Sequence, residues 1–333
     1  MFRVTANPLS PRRSALRWLP AFALAAAFAT PAGAQTFPSR PITIVVPFAA
    51  GGASDITARL IGQELGPALG TTVVVDNKPG ANTQIGTAFV ARAPADGHTL
   101  LLGTTSLINN VHFYPSMPYD ASRALTPVIG LVDVPAFLLV GPKVKAGGVR
   151  DFVAMAKKSD GRLNYASAGA GSSLHLATEW FKSNVGFEAT HIPQRGSGPA
   201  VTSVASGETD FSFENLGPAR PQMDAGRVRI LAIAGPKRFP GLPNVPTLQE
   251  SGLPGTDLSS WFVLMAPAGT PRPVIDTINR EVNKALAKPE IRDRLFKLGL
   301  IPLGGTPEQL AERMQQDSGK WGLVIRQANI KVN

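Results

Sequence analysis

Ser172 and His175 stand three residues apart in a segment with helical spacing, so they share one face of a helix. A hydroxyl beside an imidazole is the start of a hydrolytic pair. The plainer reading makes Ser172 a helix cap and His175 a residue that packs or lines a cleft. No G-x-S-x-G elbow and no orienting acid accompany the pair. The other histidines, His98, His112 and His191, are scattered without an H-x-x-x-H spacing, so no metal site is expected. Gly169-Ala170-Gly171 fails the dinucleotide fingerprint, which wants Gly or Ala where Leu174 stands, and no P-loop lysine follows a glycine run. No cofactor is expected.

The backbone offers more chemistry than these side chains. Pro47-Phe48-Ala49-Ala50-Gly51-Gly52-Ala53-Ser54-Asp55 follows the apolar run Ile42–Val46 and precedes a helical pattern of Ile56, Leu60, Ile61 and Leu65. A buried strand running through small residues into a helix presents unpaired N–H groups and the positive end of the helix dipole. Glycines there let a carboxylate or phosphate approach the main chain. Ala166-Ser167-Ala168-Gly169-Ala170-Gly171-Ser172-Ser173 repeats this arrangement in the other half of the chain. Further small polar groups stand at strand ends: Thr104-Thr105-Ser106 with Asn109, Gln194-Arg195-Gly196-Ser197-Gly198, and Asp210 with Asn215. Together they suggest a polar pocket that grips an anion from two sides.

The elements that position these loops alternate. Strand-like runs at Ile42–Phe48, Thr72–Asp76, Thr99–Gly103, Phe137–Val140, Leu163–Ala166, Ala189–Ile192, Asp210–Phe213, Arg229–Ala234 and Trp261–Ala266 are separated by helical stretches, the signature of βα units. Thr270-Pro271-Arg272-Pro273 opens a helix, and Thr306-Pro307-Glu308-Gln309 reads as a capping box. In open α/β sheets, ligands bind beyond the carboxyl ends of strands.

The first 34 residues read as a secretory signal peptide: Arg3, Arg12, Arg13 and Arg17, an apolar Leu19–Ala29, and an A-x-A site at Ala32-Gly33-Ala34. Periplasmic export follows, by the general or the twin-arginine route. Four of the 33 Lys and Arg lie in that segment and none of the 23 acids do, leaving 29 against 23, a net charge of +6. Such a charge steers anions, while the lack of a basic run or basic–aromatic stripe gives no sign of nucleic acid. There is no cysteine, hence no disulfide or thiol chemistry. About 300 residues exceed one comfortable core, so two domains are expected.

With these loops in view, the chain resembles the Bug-type substrate-binding proteins of tripartite tricarboxylate transporters. The resemblance runs from about Phe37 to the last helices. Its marks are Pro38-Ser39-Arg40-Pro41-Ile42, Val46 to Gly52, Asn77-Lys78-Pro79-Gly80-Ala81, Ala93 to Leu100 and Tyr165 to Gly169. Later marks are Gly207-Glu208-Thr209-Asp210, Asn244-Val245-Pro246-Thr247 and Ala266 to Pro271. It implies a two-domain, type II-like periplasmic binding-protein fold, each domain a mostly parallel sheet flanked by helices, with the ligand cleft between. The implied division is 35–138 plus 262–333 for one domain and 139–261 for the other. The ligand is a small carboxylate, an organic or amino acid, held mainly by backbone N–H groups and water. Carried onto this sequence, the contacts are Phe48, Ala49, Ala50, Gly51, Gly52 and Asp55 with Thr104, Thr105 and Ser106. On the other side they are Ser167, Ala168, Gly169, Gly171, Ser172, Ser173 and His175, with Gly196 and Asp210.

The implied chain is a non-enzymatic monomer whose partners are membrane transporter subunits or a sensor kinase. A hydrolase on the same scaffold is the rival class. One departure is Gln194-Arg195-Gly196 after Pro193, where the family often has Tyr-Lys-Gly. Asp210 keeps two readings, ligand acceptor or local cap, and so does Arg195, partner of a second carboxylate or solvated cation.

Overall fold

The computed structural model describes residues 1–3, 37–254, 257–327 and 330; all but the first three residues of the expected signal peptide lie outside them. Two sheets carry the fold. The first contains β1 (Ile42–Val46), β2 (Val73–Asn77), β3 (Thr99–Thr104), β4 (Leu125–Val134), β10 (Ser260–Pro267) and β11 (Ile301–Gly304), in the order β11-β4-β10-β3-β1-β2. The second contains β5 (Ala136–Val140), β6 (Leu163–Ser167), β7 (Ala189–Pro193), β8 (Phe211–Glu214) and β9 (Arg229–Ala234), in the order β7-β6-β8-β5-β9. Parallel pairing holds β2-β1-β3 and β7-β6-β8, and the remaining pairs are antiparallel, so both sheets are mixed.

Helices follow the parallel strands: α1 (Ala53–Leu69), α2 (Gln84–Ala91) and α3 (Ser106–Phe113) after β1, β2 and β3. In the second sheet α4 (Val149–Lys158) precedes β6. There α5 (Ser173–Val185), α6 (Ser197–Ser206) and α7 (Leu216–Asp224) follow β6, β7 and β8. The chain ends in α8 (Arg272–Ala287), α9 (Pro289–Lys297) and α10 (Pro307–Gln327). At the start of α10 the capping box is formed, Thr306 N–H donating to Gln309 Oε1 at 2.9 Å and Gln309 N–H to Thr306 Oγ1 at 3.2 Å. Prolines at the N-cap, Pro271, and at the second helical residue, Pro273, open α8, where no intrahelical donor is lost.

Strand register fixes how the sheets meet. β4 is antiparallel to β10, which is antiparallel to β3, so β4 runs with β3 and ends at the edge where β1 and β3 end. After one residue β5 begins at Ala136, and its second residue, Phe137, lies opposite Glu214, the last residue of β8. The return is equivalent: β9 ends with Ala234 opposite Ala136, and β10 starts with Ser260 opposite Val134. Both crossings therefore join the carboxyl edges of the two sheets. The expected boundaries at 138/139 and 261/262 fall inside β5 and β10.

α10 straps the crossings. Trp261, fully buried, donates its indole N–H to Asp317 Oδ2 at 2.8 Å, Arg313 pairs with Asp133 of β4 at 2.5 Å, and Lys320 bonds the Asp257 carbonyl. Trp261 and Trp321 belong to one apolar cluster that runs from Val45 and Leu101 of the first sheet to Phe181 and Phe211 beside the second. Truncating Asp317 strands the buried indole N–H. Asp317→Ala should cost about 1–3 kcal/mol in urea unfolding, and Asp317→Asn, which keeps an acceptor, clearly less. Equal losses in both variants would show that the bond does not hold the strap.

Candidate functional site

Six helices, α1, α2, α3, α5, α6 and α7, begin at the carboxyl edges that the crossings bring together. The first few N–H groups of any helix lack intrahelical acceptors, so this junction is rich in free donors and positive dipole ends.

The first glycine loop is built around Asp55. Gly51 has φ +85°, a left-handed conformation, and its N–H donates to Asp55 Oδ2 at 2.9 Å. Arg59, one turn on, pairs with the same buried carboxylate at 2.9 Å. Burial pushes the Asp55 carboxyl up, but the bonds from Arg59, Gly51 and Asn77 outweigh it and hold it below the ordinary range. Asp55 thus shapes the turn from behind. Phe48 is half-buried and its carbonyl accepts from Asn77 Nδ2 at 3.1 Å, while Ala49, Ala50, Gly51 and Gly52 are exposed. Gly52 is the N-cap of α1, without a side-chain cap. Thr104 ends β3 and its hydroxyl accepts from the Ser106 N–H at 3.3 Å, and Thr105 stands at the N-cap position of α3 without a side-chain cap bond.

The second loop is propped by histidines. Gly169 and Gly171 have φ of +131° and +75°. Ser167 Oγ, at the buried end of β6, meets the Gly169 N–H at 3.2 Å and His191 Nε2 at 2.7 Å. The Gly171 N–H donates to His175 Nδ1 at 3.0 Å, which requires that nitrogen to be unprotonated. The His175 and His191 rings stack with centroids 4.0 Å apart, and His191 stacks on Tyr165 at 4.8 Å. Tyr165 donates to Glu179, which also accepts from Lys182 at 2.8 Å. Ser172 caps α5 by accepting the backbone N–H of His175 at 3.2 Å, while the imidazole Nδ1 accepts from Gly171. Ala168 and Ser173 are half-buried beside it. Gly196, with φ +117°, is the N-cap of α6 at the end of β7.

Of the two readings of Asp210, its hydrogen bond supports the local cap. Its Oδ2 accepts from the Asn164 N–H at 2.8 Å, near the start of β6, and Phe211, the next residue, begins β8. It stands at the amino edge, a strand length from the glycine loop, and caps the backbone there. Arg195 is exposed.

Two further features stand near the joined carboxyl edges. Ala81, Asn82 and Thr83, before α2, have φ of +44°, +47° and +74°. Non-glycine residues in this region store strain on the order of 1–3 kcal/mol each. A reciprocal amide pair holds the turn: Asn82 Nδ2 donates to Asn110 Oδ1 at 2.7 Å and Asn110 Nδ2 to the Asn82 carbonyl at 2.9 Å. Asparagine tolerates left-handed backbone, so Asn82 was the available signal. The other is Glu214 at the end of β8, fully buried with neither carboxylate oxygen hydrogen-bonded.

Among the described residues no group of three or more His, Cys, Asp or Glu is placed to hold a metal ion. Among the described residues two concavities lie next to the helices, the first of them reaching Gly198. One is a groove of about 600 Å³ beside α6 and α7, and the other a pocket of about 270 Å³ between α3, Tyr119–Ser122, β10 and α10.

Paired sheets with facing helix N-termini and a double crossing define the class of two-lobed periplasmic solute-binding proteins. The model of the tripartite tricarboxylate transporter family receptor, TctC, matches residues 57–330. The chain belongs to this family. BugT of Bordetella pertussis is 36% identical over 313 residues, covering 93% of this chain and 96% of the relative. Among solved structures, an R. palustris protein with adipate superposes with a TM-score of 0.81 at 35% identity, covering 89% and 99% of the two chains. MatC of Rhodopseudomonas palustris with bound malate gives 0.75 at 33% identity, covering 87% and 100%.

The histidine prop carries a pH dependence. Burial, then the neighbouring His191, lowers His175 to about 4, and burial lowers His191 as well. A histidine held neutral in the fold loses stability as pH falls below its unfolded value of about 6.5, because only the unfolded chain then takes up the proton. The loss grows down to about pH 4 and amounts to about 3 kcal/mol at most for His175. Urea unfolding between pH 7.5 and 4 should show this slope in the wild type and a shallower one in His175→Gln. Identical slopes would remove His175 from the acid response.

Proposed function

We propose that the chain is an extracytoplasmic solute-binding protein that captures a small carboxylate between its two sheets and hands it to a tripartite tricarboxylate-type transporter. The carrying observation is the convergence of six helix N-termini at the joined carboxyl edges. Of the loop amides, those of Gly51, Gly169 and Gly171 are engaged within the chain. The donors offered to a ligand are the first-turn amides of α1, α5 and α6, held in place by those internal bonds. Hydrogen bonds to a charged group contribute about 1.5–3 kcal/mol each. Three or four of them, less ordering and association costs, correspond to micromolar binding, about −8 kcal/mol.

The relatives solved with adipate and malate support a carboxylate ligand. We take the two sheets as the two lobes, exchanging at Pro135 and between Ala234 and Ser260, with ligand-driven closure about those crossings. Residues 1–34 act as the export signal, and the mature chain works in the periplasm as a monomer without catalysis. The Ser172 hydroxyl bound to a backbone amide supports the last point.

A thermal-shift screen of mono- and dicarboxylates, amino acids and aromatic acids should give a concentration-dependent rise in Tm for a carboxylate subset. No shift with any of them would end the reading. Valine at Gly51 or Gly169 forces a β-branched residue into left-handed backbone. In either folded variant, calorimetry should show carboxylate affinity reduced at least tenfold. Unchanged affinity would place the ligand elsewhere.

A further inference from the structure

His175 of α5 and His191 of β7 lie behind the second glycine loop with their rings stacked, centroids 4.0 Å apart and planes tilted by 10°. Tyr165, the register partner of His191 on β6, stacks on it at 4.8 Å. Two imidazoles in such contact do not both carry charge, since like charges disfavour one another.

Hydrogen bonding decides which ring takes a proton. His175 Nδ1 accepts the Gly171 N–H at 3.0 Å, so a proton placed there breaks a bond that props the loop. His191 loses nothing. Its Nε2 lies 2.7 Å from Ser167 Oγ, which is 3.2 Å from both the N–H and the carbonyl oxygen of Gly169. When the Ser167 hydroxyl donates to that carbonyl, its oxygen accepts from the Gly169 N–H and from His191 Nε2–H together. A protonated His191 keeps all three bonds, and its added proton sits on Nδ1.

The charges already beside the rings cancel. α5 supplies Glu179 and Lys182, 2.8 Å apart, which act on both rings with opposite sign. β6 supplies Tyr165, bonded to Glu179 and kept protonated by burial and by that carboxylate. β8 supplies the uncharged Phe211 beside Tyr165, and Ala189 and Pro193 share the His191 face of β7. Burial therefore holds His191 below the ordinary histidine range. A carboxylate on the first-turn amides of α5 brings an unmatched negative charge to the loop that Ser167 and His175 prop.

We propose that the stacked pair is a proton-binding site coupled to the carboxylate site: a carboxylate held at the loop before α5 draws one proton from solvent onto His191, while His175 stays neutral and keeps the Gly171 bond. This inference rests on the carboxylate reading above and adds a proton as co-ligand. The coupling is reciprocal, so protonation tightens carboxylate binding by the same factor by which the carboxylate tightens proton binding. The chain thus offsets part of its ligand's charge without placing a cation in either glycine loop.

Calorimetry of adipate binding at pH 6.5, in buffers of different ionisation enthalpy, counts the protons. For a coupling of about tenfold, the wild type should take up between about 0.3 and 1 proton per adipate, and its affinity should fall about threefold from pH 6 to pH 8. Adipate is largely ionised at pH 6.5, so its own contribution is a release, opposite in sign. His191→Gln, whose side-chain amide still donates to Ser167, should bind adipate with neither the uptake nor the pH slope. In histidine-labelled wild type, the ring ¹⁵N resonances of His191 should move to the charged position on adding adipate, and those of His175 should not. No uptake on binding, uptake unchanged in His191→Gln, or charge appearing on His175 would overturn the proton site alone. Binding of neither adipate nor malate would end the carboxylate reading and the proton site with it.

Discussion

The structure depends on one constraint: an N–H at a helix start has no acceptor within the helix. The fold gathers six such ends at one place by running both crossings between carboxyl edges, with a single residue, Pro135, between β4 and β5. Had either crossing left from an amino edge, one set of helix starts would have faced away. Register does this, because β10 entering antiparallel to both β3 and β4 returns the chain to the same edge it left. The chemistry of the site is therefore a property of topology before it is a property of any side chain.

Side chains then set the shape of what topology supplies. Asp55, Ser167 and His175 each accept a glycine N–H from the loop next to them. These bonds consume donors that the glycine pattern alone assigns to a ligand, and in return they fix left-handed turns that would otherwise sample many conformers. The result is preorganisation: the amides left free are held rather than mobile, so less ordering remains to be done on binding. The three left-handed residues before α2 follow the same logic, their strain offset by the Asn82–Asn110 amide pair.

Much of this was legible in the sequence where the cause is local. Glycine-rich strand-to-helix joints, the proline that opens α8 and the capping box of α10 are written in a few consecutive residues. What was not legible depends on distant partners. β4 carries Pro127 and Gly130, which break its alternation, and its pairing on both sides by β10 and β11 decides the matter. β11 has four residues, with Pro302 among them, too short to announce itself. Asp210 precedes β8 and Glu214 ends it, so the two stand at opposite edges of the sheet. Nothing local says which end of Phe211–Glu214 meets the junction, since that follows from the parallel pairing of β6 with β8. His191 likewise gains its meaning only from Ser167 and Tyr165 on the neighbouring strand.

The placement of β10 has a consequence for biogenesis. The second sheet is built entirely from 136–234, whereas the first has β10 wedged between β3 and β4 and so lacks an inner member until residues beyond 260 have arrived. As the polypeptide emerges from the N-terminus onward, the inserted half can complete its hydrogen-bonded ladder first. The earlier-made strands β1 to β4 wait with β3 and β4 unjoined. Their exposed edges are the stretch of the newborn chain most in need of chaperone cover, since unpaired strand edges are where aggregation starts.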